Sequence, residues 1–318
     1  MVARATRSAS RGASGSSDDA SRCLLLALSH DELGVIFDGL ADPLQPVVAV
    51  ALSSTCLGLR TPLLAALEVL EQRHEKAMAL CRNMGMSRAT LCCATTIRWG
   101  GRGLTADDLT TLGMILHENG LPRLEELYVH MNEFGDAGMH ALCEGLGAGS
   151  APSLQVFAVS WNKLGPVGAE ALAAALRRGA MPKLETLYLD ANPIGKQGLA
   201  ALAPPLRRMS ALNYLSLGNC EIGDEGATSL LANLGKEDFK ALARLDIEQN
   251  SLADKGFDSL LSALNGPAMP KLGVLTVYPF DCSDATVAAL QLAAAHREIA
   301  LAEEPEEPFE ESEDEELD

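Results

Sequence analysis

Aromatic residues are scarce in this chain of 318 residues: they make up 4% of it, although hydrophobic residues make up 47%. The apolar content is therefore mostly leucine and alanine, which favours many small repeated contacts over one core built around large rings. The chain also lacks a run of about 18 apolar residues, the length that a transmembrane helix needs. The short apolar run Cys23–Leu28 is soon followed by Asp31 and Glu32, which argues against a secretory signal.

Motifs for metal binding or catalysis are missing as well. None of the eight cysteines forms a Cys-x-x-Cys pair, so we expect reduced thiols in a cytoplasmic protein, with the nucleus as the alternative compartment. His74-Glu75 begins like the helix of a zinc protease, but Met78 stands where the second histidine is required. The six histidines are scattered along the chain. The sequence therefore predicts no enzyme, no metal and no cofactor.

Basic clusters are absent too, and the formal net charge is −18. The segment Glu303–Asp318 holds eleven acidic residues and no basic one, so the rest of the chain carries a net charge of only −7. Without a basic face, the protein is not expected to bind nucleic acid. We predict disordered tails at 303–318, because of its dense like charge, and at 1–21. The arginine- and serine-containing start, residues 1–17, leaves an organelle transit peptide as an alternative.

What the sequence does contain is a repeat, in the frame L-x-x-L-x-L-x-x-N-x-L. One copy has Leu184, Leu187, Leu189, Asn192 and Ile194 in this frame. The asparagine position recurs, at an almost constant interval, at positions 102, 132, 162, 192, 220, 250 and 280. Such regular spacing predicts a solenoid in which each unit depends on its neighbours for a core.

The frame predicts a strand, a turn and a helix in each unit. Alternate leucines of a short strand face one way and the residues between them face the other. The asparagine follows where the chain turns, and its amide can satisfy backbone groups that the turn leaves unpaired. A glycine-containing loop and an alanine- and leucine-rich helix come next, as at Gly168–Arg178.

These residues resemble the leucine-rich-repeat superfamily, in its ribonuclease-inhibitor-like class of long repeats. The resemblance covers residues 91–282. It implies an α/β fold, a horseshoe-shaped solenoid with a parallel sheet on the concave face and helices on the convex face. Cys220 is an accepted alternative to asparagine in that family's pattern. Residues 283–302 are expected to form a closing helix, capped by Ser283, that covers the edge of the last repeat.

Residues 22–90 are helical in pattern and are expected to form a small cap before the repeats. The string Leu28-Ser29-x-x-Glu32-Leu33-x-x-Ile36-Phe37-x-x-Leu40 in this segment resembles an F-box, the domain that binds the adaptor subunit of cullin–RING ubiquitin ligases. The resemblance implies five adaptor-facing and core positions: Leu28, Leu33, Ile36, Phe37 and Leu40. Ser29 in place of the usual proline departs from that pattern. Adaptor binding and simple capping both remain open.

The strand frame places unusual side chains on the concave face. All four tyrosines and one of the two tryptophans fall there, and exposed tyrosine and tryptophan are typical of protein-binding surfaces. The candidate partner-binding residues are Tyr128, His130, Trp161, Tyr188, Asp190, Tyr214, Asp246, Glu248 and Tyr278. The sequence thus predicts a monomeric, non-enzymatic protein that binds another protein and no membrane.

Several identities fit this prediction. The first is the substrate-recognition subunit of a cullin–RING ubiquitin ligase. An alternative is a regulator or activating protein of a small GTPase of the nuclear-transport type, since that family joins long leucine-rich repeats to an acidic tail. A third is an axonemal or immune-type scaffold. The identity of the partner does not follow from the sequence.

Overall fold

A computed structural model describes residues 33, 36–37, 41–54, 57–118, 121–278 and 282–302. The two predicted tails, and Leu28 and Leu40 of the F-box-like set, lie outside these residues. Leu33, Ile36 and Phe37 are helical, and three further helices with described bounds precede the first strand: α1 (Val47–Ser54), α2 (Leu57–Asn83) and α3 (Arg88–Cys93). Strands and helices then alternate to the end of the described chain.

Eight strands alternate with seven helices over this part of the chain. The strands are β1 (Thr96–Arg98), β2 (Glu126–Tyr128), β3 (Val156–Ala158), β4 (Thr186–Tyr188), β5 (Tyr214–Ser216), β6 (Arg244–Asp246), β7 (Val274–Thr276) and β8 (Ala300–Ala302). The helices are α4 (Ala106–His117), α5 (Gly135–Gly145), α6 (Pro166–Arg177), α7 (Gly195–Arg208), α8 (Gly223–Leu231), α9 (Asp254–Asn265) and α10 (Asp284–His296).

The strands form one parallel sheet in the order of the sequence, β1 to β8. The middle residue of each strand from β1 to β7 is apolar and faces the helices: Leu127, Leu187 and Leu215, for example, are at most 1% exposed. The residues on either side of it face the opposite, concave side of the sheet. The α/β solenoid predicted from the sequence is confirmed, including the strand register.

A ladder of buried asparagines, with Cys220 in one repeat, fixes the turns after β2 to β6. Asn162 donates from Nδ2 to the carbonyl oxygens of Val129 and Val159, both at 2.9 Å. Its Oδ1 accepts the backbone N–H of Asn132 at 2.8 Å. Cys220 takes the same place in its repeat, where its thiol donates to the Leu189 carbonyl. These buried bonds explain why a short polar side chain is required there.

The end of the repeat region differs from the prediction. The closing helix, α10, begins after Ser283, which accepts the Thr286 backbone N–H as predicted for a cap. It ends at His296, however, and residues 300–302 are a strand instead of helix. Glu298 turns the chain with φ of 57°, and the Ala300 N–H then donates to the Gly273 carbonyl. Pairing of the backbone groups at the open edge of β7 overrides the helix propensity of this alanine-rich segment.

The long helix α2 belongs to two separate cores. Its second half, with Ala77, Leu80 and Cys81, is part of the core that runs through the repeats. Its first half, with Leu63 and Leu70, packs into a small second core. The helical segment therefore caps the repeats at one end and forms a unit of its own at the other.

Candidate functional site

The concave face carries two rows of side chains from the strands. The first row consists of Thr96, Glu126, Val156, Thr186, Tyr214, Arg244 and Val274, which pair across neighbouring strands. The second row consists of Arg98, Tyr128, Ala158, Tyr188, Ser216, Asp246 and Thr276. Neighbouring strands lie about 4.8 Å apart, so large side chains in adjacent positions must touch.

Three tyrosines between two arginines dominate this face, and we call Arg98, Tyr128, Tyr188, Tyr214 and Arg244 the aromatic band. The rings of Tyr188 and Tyr214 meet edge to face, with centroids 5.2 Å apart. At the ends, the guanidinium carbon of Arg98 lies 4.9 Å from the Tyr128 ring centroid, and that of Arg244 lies 4.7 Å from the Tyr214 ring centroid. Such cation–π contacts hold the rings in fixed orientations. The band is therefore a preorganised surface.

The small side chain of Ala158 separates two members of the band. Ala158 lies between Tyr128 and Tyr188 in the second row and is 0% exposed. A larger residue here would compete with both rings for space. The tyrosines at this point are half-buried, so part of each ring remains available to a partner.

The tyrosines are suited to contact and not to proton transfer. Burial raises the pKa of Tyr128 and of Tyr188, and it raises the pKa of Tyr214 further, with nearby Asp246 adding to that effect. All three therefore stay neutral at physiological pH. His130, whose ring fills the space above Gly100, has its pKa lowered by burial and is neutral as well. The three phenol groups are therefore not ionised and are not prepared to act as nucleophiles.

Carboxylates gather beside the band, around Gly218. A Cβ atom built on Gly218 would lie 3.3 Å from Asp190 Oδ1, 3.6 Å from Asp246 Oδ1 and 3.3 Å from Glu248 Cγ. Burial, helped by the charges of Asp190 and Glu248, raises the pKa of Asp246 to about 7, although a hydrogen bond from the Glu248 N–H and the charge of Arg244 oppose this. Asp246 is only 2% exposed, so its charge is poorly hydrated.

Replacing Asp246 by asparagine should make folding less dependent on pH. In the folded chain its pKa is about 7, against an ordinary value of 3.8. The folded state therefore binds the proton more tightly, and stability falls as pH rises from about 4 to about 7. The difference between the two pKa values corresponds to about 4 kcal/mol at pH 8. Asp246→Asn keeps an oxygen to accept the Glu248 N–H but adds a buried NH2 group, so it should raise the free energy of unfolding at pH 8 by about half of that, about 2 kcal/mol. Urea titrations across this pH range measure it.

The exposed carboxylate of Glu170 provides the matched control for this experiment. Glu170→Gln on α6 should leave the pH profile as it is in the wild type. A profile for Asp246→Asn that declines as steeply as that of the wild type would show that Asp246 is ionised in the folded chain at these pH values.

The structure separates the predicted partner-binding residues into accessible and inaccessible ones. Tyr128, His130, Tyr188, Asp190 and Tyr278 are partly exposed. The side chain of Trp161 is 54% exposed and leaves the turn after β3, not the strand itself. Three residues that the sequence placed on the open face are nearly covered: Tyr214 at 9%, Asp246 at 2% and Glu248 at 8%.

The covered residues are a correction to the prediction of a fully open face. Strand alternation gives the side of the sheet on which a residue lies, but not whether its neighbours close over it. Here the rings of Tyr188 and Tyr214 contact each other, and the carboxylates of Asp190, Asp246 and Glu248 lie close together around Gly218. The accessible residues of the concave face therefore lie mainly from β2 to just after β4, with Tyr278 partly exposed at the other end, and Met131, exposed at 52%, belongs to the first group.

The F-box-like positions also divide into two groups. Leu33 and Phe37 are buried in the small second core, at 4% and 1% exposure, whereas Ile36 is 36% exposed. The structure adds exposed apolar side chains that the sequence analysis did not single out. They lie on α1 and α2: Val47, Val48, Val50, Leu64 and Val69.

Groups suited to other kinds of site are missing from the described part of the chain. Three or more histidine, cysteine or acidic side chains are nowhere arranged there as they would be around a metal ion. Among the described helices, none is long and apolar enough to cross a bilayer.

Comparisons with known proteins agree with the architecture. Residues 150–173, 180–203 and 210–231 each match the Leucine Rich repeat family. No match is found among curated proteins. A chain in the crystal structure of the Rad7 and Elc1 complex in yeast is similar at 12% identity, over 74% of this chain and 95% of that chain, with a TM-score of 0.25. A likeness this low carries no argument about function. The matched segments and the stacked strand–helix units show that the fold is a leucine-rich-repeat solenoid.

Proposed function

We propose that this protein is a non-enzymatic binding module that holds another protein on its concave face. The aromatic band carries the proposal, because contacts within it hold its rings before any partner arrives and the rings of Tyr128 and Tyr188 remain partly exposed. Rigid aromatic side chains contribute large contact area at small entropic cost, and a few of them usually dominate an interface. The long repeat period, as from Asn132 to Asn162 to Asn192, with a helix in each repeat, supports the ribonuclease-inhibitor-like class.

An affinity purification with the full chain as bait tests this proposal. Tyr188→Ala should lose proteins that the wild-type chain captures, with at least a tenfold drop in recovery, because it removes the central ring of the band. Glu170→Ala, exposed on α6, should capture the same proteins as the wild type. Circular dichroism melts show whether each variant is folded. Equal capture by folded Tyr188→Ala and wild type would count against the concave face.

A second candidate function is adaptor binding by the N-terminal helices. Of the eleven large apolar side chains exposed in the described part of the chain, six lie between residues 36 and 69. Such a concentration is typical of an interaction surface, and it supports the interpretation of this segment as F-box-like. The chain would then be the substrate-recognition subunit of a cullin–RING ubiquitin ligase.

The same purification separates adaptor binding from simple capping. Adaptor and cullin subunits recovered with the wild type and with Tyr188→Ala alike would support the ligase subunit, because the two surfaces lie on different parts of the chain. Their absence from both samples would favour a segment that only caps the repeats.

A further inference from the structure

Two large apolar side chains stand side by side at the rim of the concave face. Met131 and Trp161 occupy the same place in consecutive repeats, three residues after the end of their strands, and are 52% and 54% exposed. Their backbones are in register: the Met131 N–H donates to the Ser160 carbonyl and the Trp161 N–H to the Asp190 carbonyl. We call Met131 and Trp161 the rim pair.

The backbone at both positions is in the left-handed region of φ and ψ, where methionine and tryptophan are conformationally unfavourable. Met131 has φ of 56° and Trp161 has φ of 58°. The fold requires this conformation, since Asn219 and Gln249 adopt it in later repeats with φ of 52° and 49°. Asparagine and glycine tolerate it best, whereas a bulky side chain is disfavoured. Because more than half of each side chain of the rim pair faces solvent, little burial offsets that cost.

Such a cost is offset when another molecule covers the exposed side chains. Strain at an exposed position is a reason to look for a binding role. A tryptophan that is ordered by its backbone and open to solvent is also the kind of residue that dominates protein interfaces.

The charge next to the rim pair indicates the chemistry of the partner. Asp190 lies beside Trp161, and its carboxylate accepts hydrogen bonds from the hydroxyl groups of Ser160 and Ser216 and from the Gly218 N–H. All three donors are neutral. Within the residues that the structure describes, neither Asp190 nor Asp246 takes part in an ion pair.

A lysine close in sequence to Trp161 already has an ion-pair partner. Lys163, two residues beyond Trp161, forms an ion pair with Glu133 at 2.6 Å. The surface next to the rim pair is therefore apolar, and the partly exposed carboxylate of Asp190 lies on its inner side with no ion-pair partner among the described residues. A partner with complementary charge must bring a cation.

We propose that the rim pair anchors a protein segment that presents a large apolar side chain next to a lysine or arginine. The apolar side chain packs on Trp161 and Met131, and the cationic group lies over Asp190. This inference rests on the proposed function and narrows it to one place on the concave face and to one class of partner.

Selection of a random peptide library displayed on phage, with the full chain as target, tests the inference. The selected peptides should combine an aromatic or large aliphatic residue with lysine or arginine, and added salt should weaken their binding. Trp161→Asn should weaken a selected peptide by about tenfold or more. The same variant should keep or raise the melting temperature, because asparagine suits the left-handed backbone.

Val167→Asn provides the control, since Val167 is an exposed apolar residue on α6, at 58% exposure. It should leave peptide binding unchanged. Selected peptides that are acidic, or that bind Trp161→Asn as well as the wild type, would overturn the inference, and so would a marked fall in the melting temperature of Trp161→Asn. Peptides lost with Tyr188→Ala but not with Trp161→Asn would leave the proposed function standing and overturn the rim pair. Peptides indifferent to both variants would count against both.

Discussion

Replacing Asn192 by alanine is expected to lower the free energy of unfolding by about 4 kcal/mol. The side chain is 0% exposed, and its Oδ1 accepts the backbone N–H groups of Asn162 and Leu164 at 2.9 and 3.0 Å. Its Nδ2 donates to three carbonyl oxygens, those of Val159, Leu189 and Asp190. Alanine would leave buried backbone groups without a partner, each at a cost of about 1–3 kcal/mol before local rearrangement.

Asn192→Cys is the informative control for this prediction, because the chain already uses cysteine at the equivalent place. The thiol of Cys220 lies 3.3 Å from the Leu189 carbonyl and 3.5 Å from the Gly218 carbonyl. The cysteine variant should therefore lose less than half as much stability as the alanine variant. Denaturant titrations of both variants measure the difference, and similar losses would show that the ladder bonds add little.

Truncating Leu189 to alanine should have an effect of the same size, with a loss of about 2–5 kcal/mol. Leu189 is 0% exposed and belongs to the core that runs through all the repeats. Removing its side chain leaves a cavity that the neighbouring repeats can fill only in part, because their backbones are held by the sheet and the ladder.

Leu292→Ala on α10 is the matched substitution, since the Leu292 side chain is 59% exposed. It should change stability by less than about 0.5 kcal/mol. A loss for Leu189→Ala that is no greater than that for Leu292→Ala, in a reversible melt, would contradict the strand register.

The repeats could be predicted from the sequence because several independent features agree in each copy. Leu187 and Leu189 alternate as expected for a strand, and Asn192 follows at the turn. Gly195, the first residue of α7, permits the left-handed backbone found there, with φ of 65°. Each feature alone is a weak predictor of structure, but the recurrence of all of them at an almost constant interval predicts the register of the whole sheet.

The last strand could not be predicted in the same way. Residues 300–302 read Ala-Leu-Ala, which favours helix by propensity. Their strand conformation comes from the unpaired edge of β7, and that edge exists only once the preceding repeats have stacked. Local sequence carries no sign of it.

Accessibility on the concave face was the other feature that sequence alone could not supply. Strand alternation placed Tyr128 and Asp246 correctly on the same side of the sheet. Whether a side chain there is open depends on its neighbours in adjacent strands, which belong to other repeats and are distant in sequence. The small side chain of Ala158 leaves part of the neighbouring Tyr128 ring accessible, whereas the carboxylates and rings around Asp246 cover the Asp246 side chain.

Site-specific photo-crosslinking tests the central claim, that a protein partner occupies the concave face, most directly. Benzoylphenylalanine would replace Trp161 on the concave rim in one chain and Glu170 on the exposed side of α6 in another. After affinity capture from cell extract and irradiation, we expect a captured protein to be covalently crosslinked to the chain substituted at 161 and not to the chain substituted at 170. Crosslinks formed from 170 and absent from 161 would contradict it.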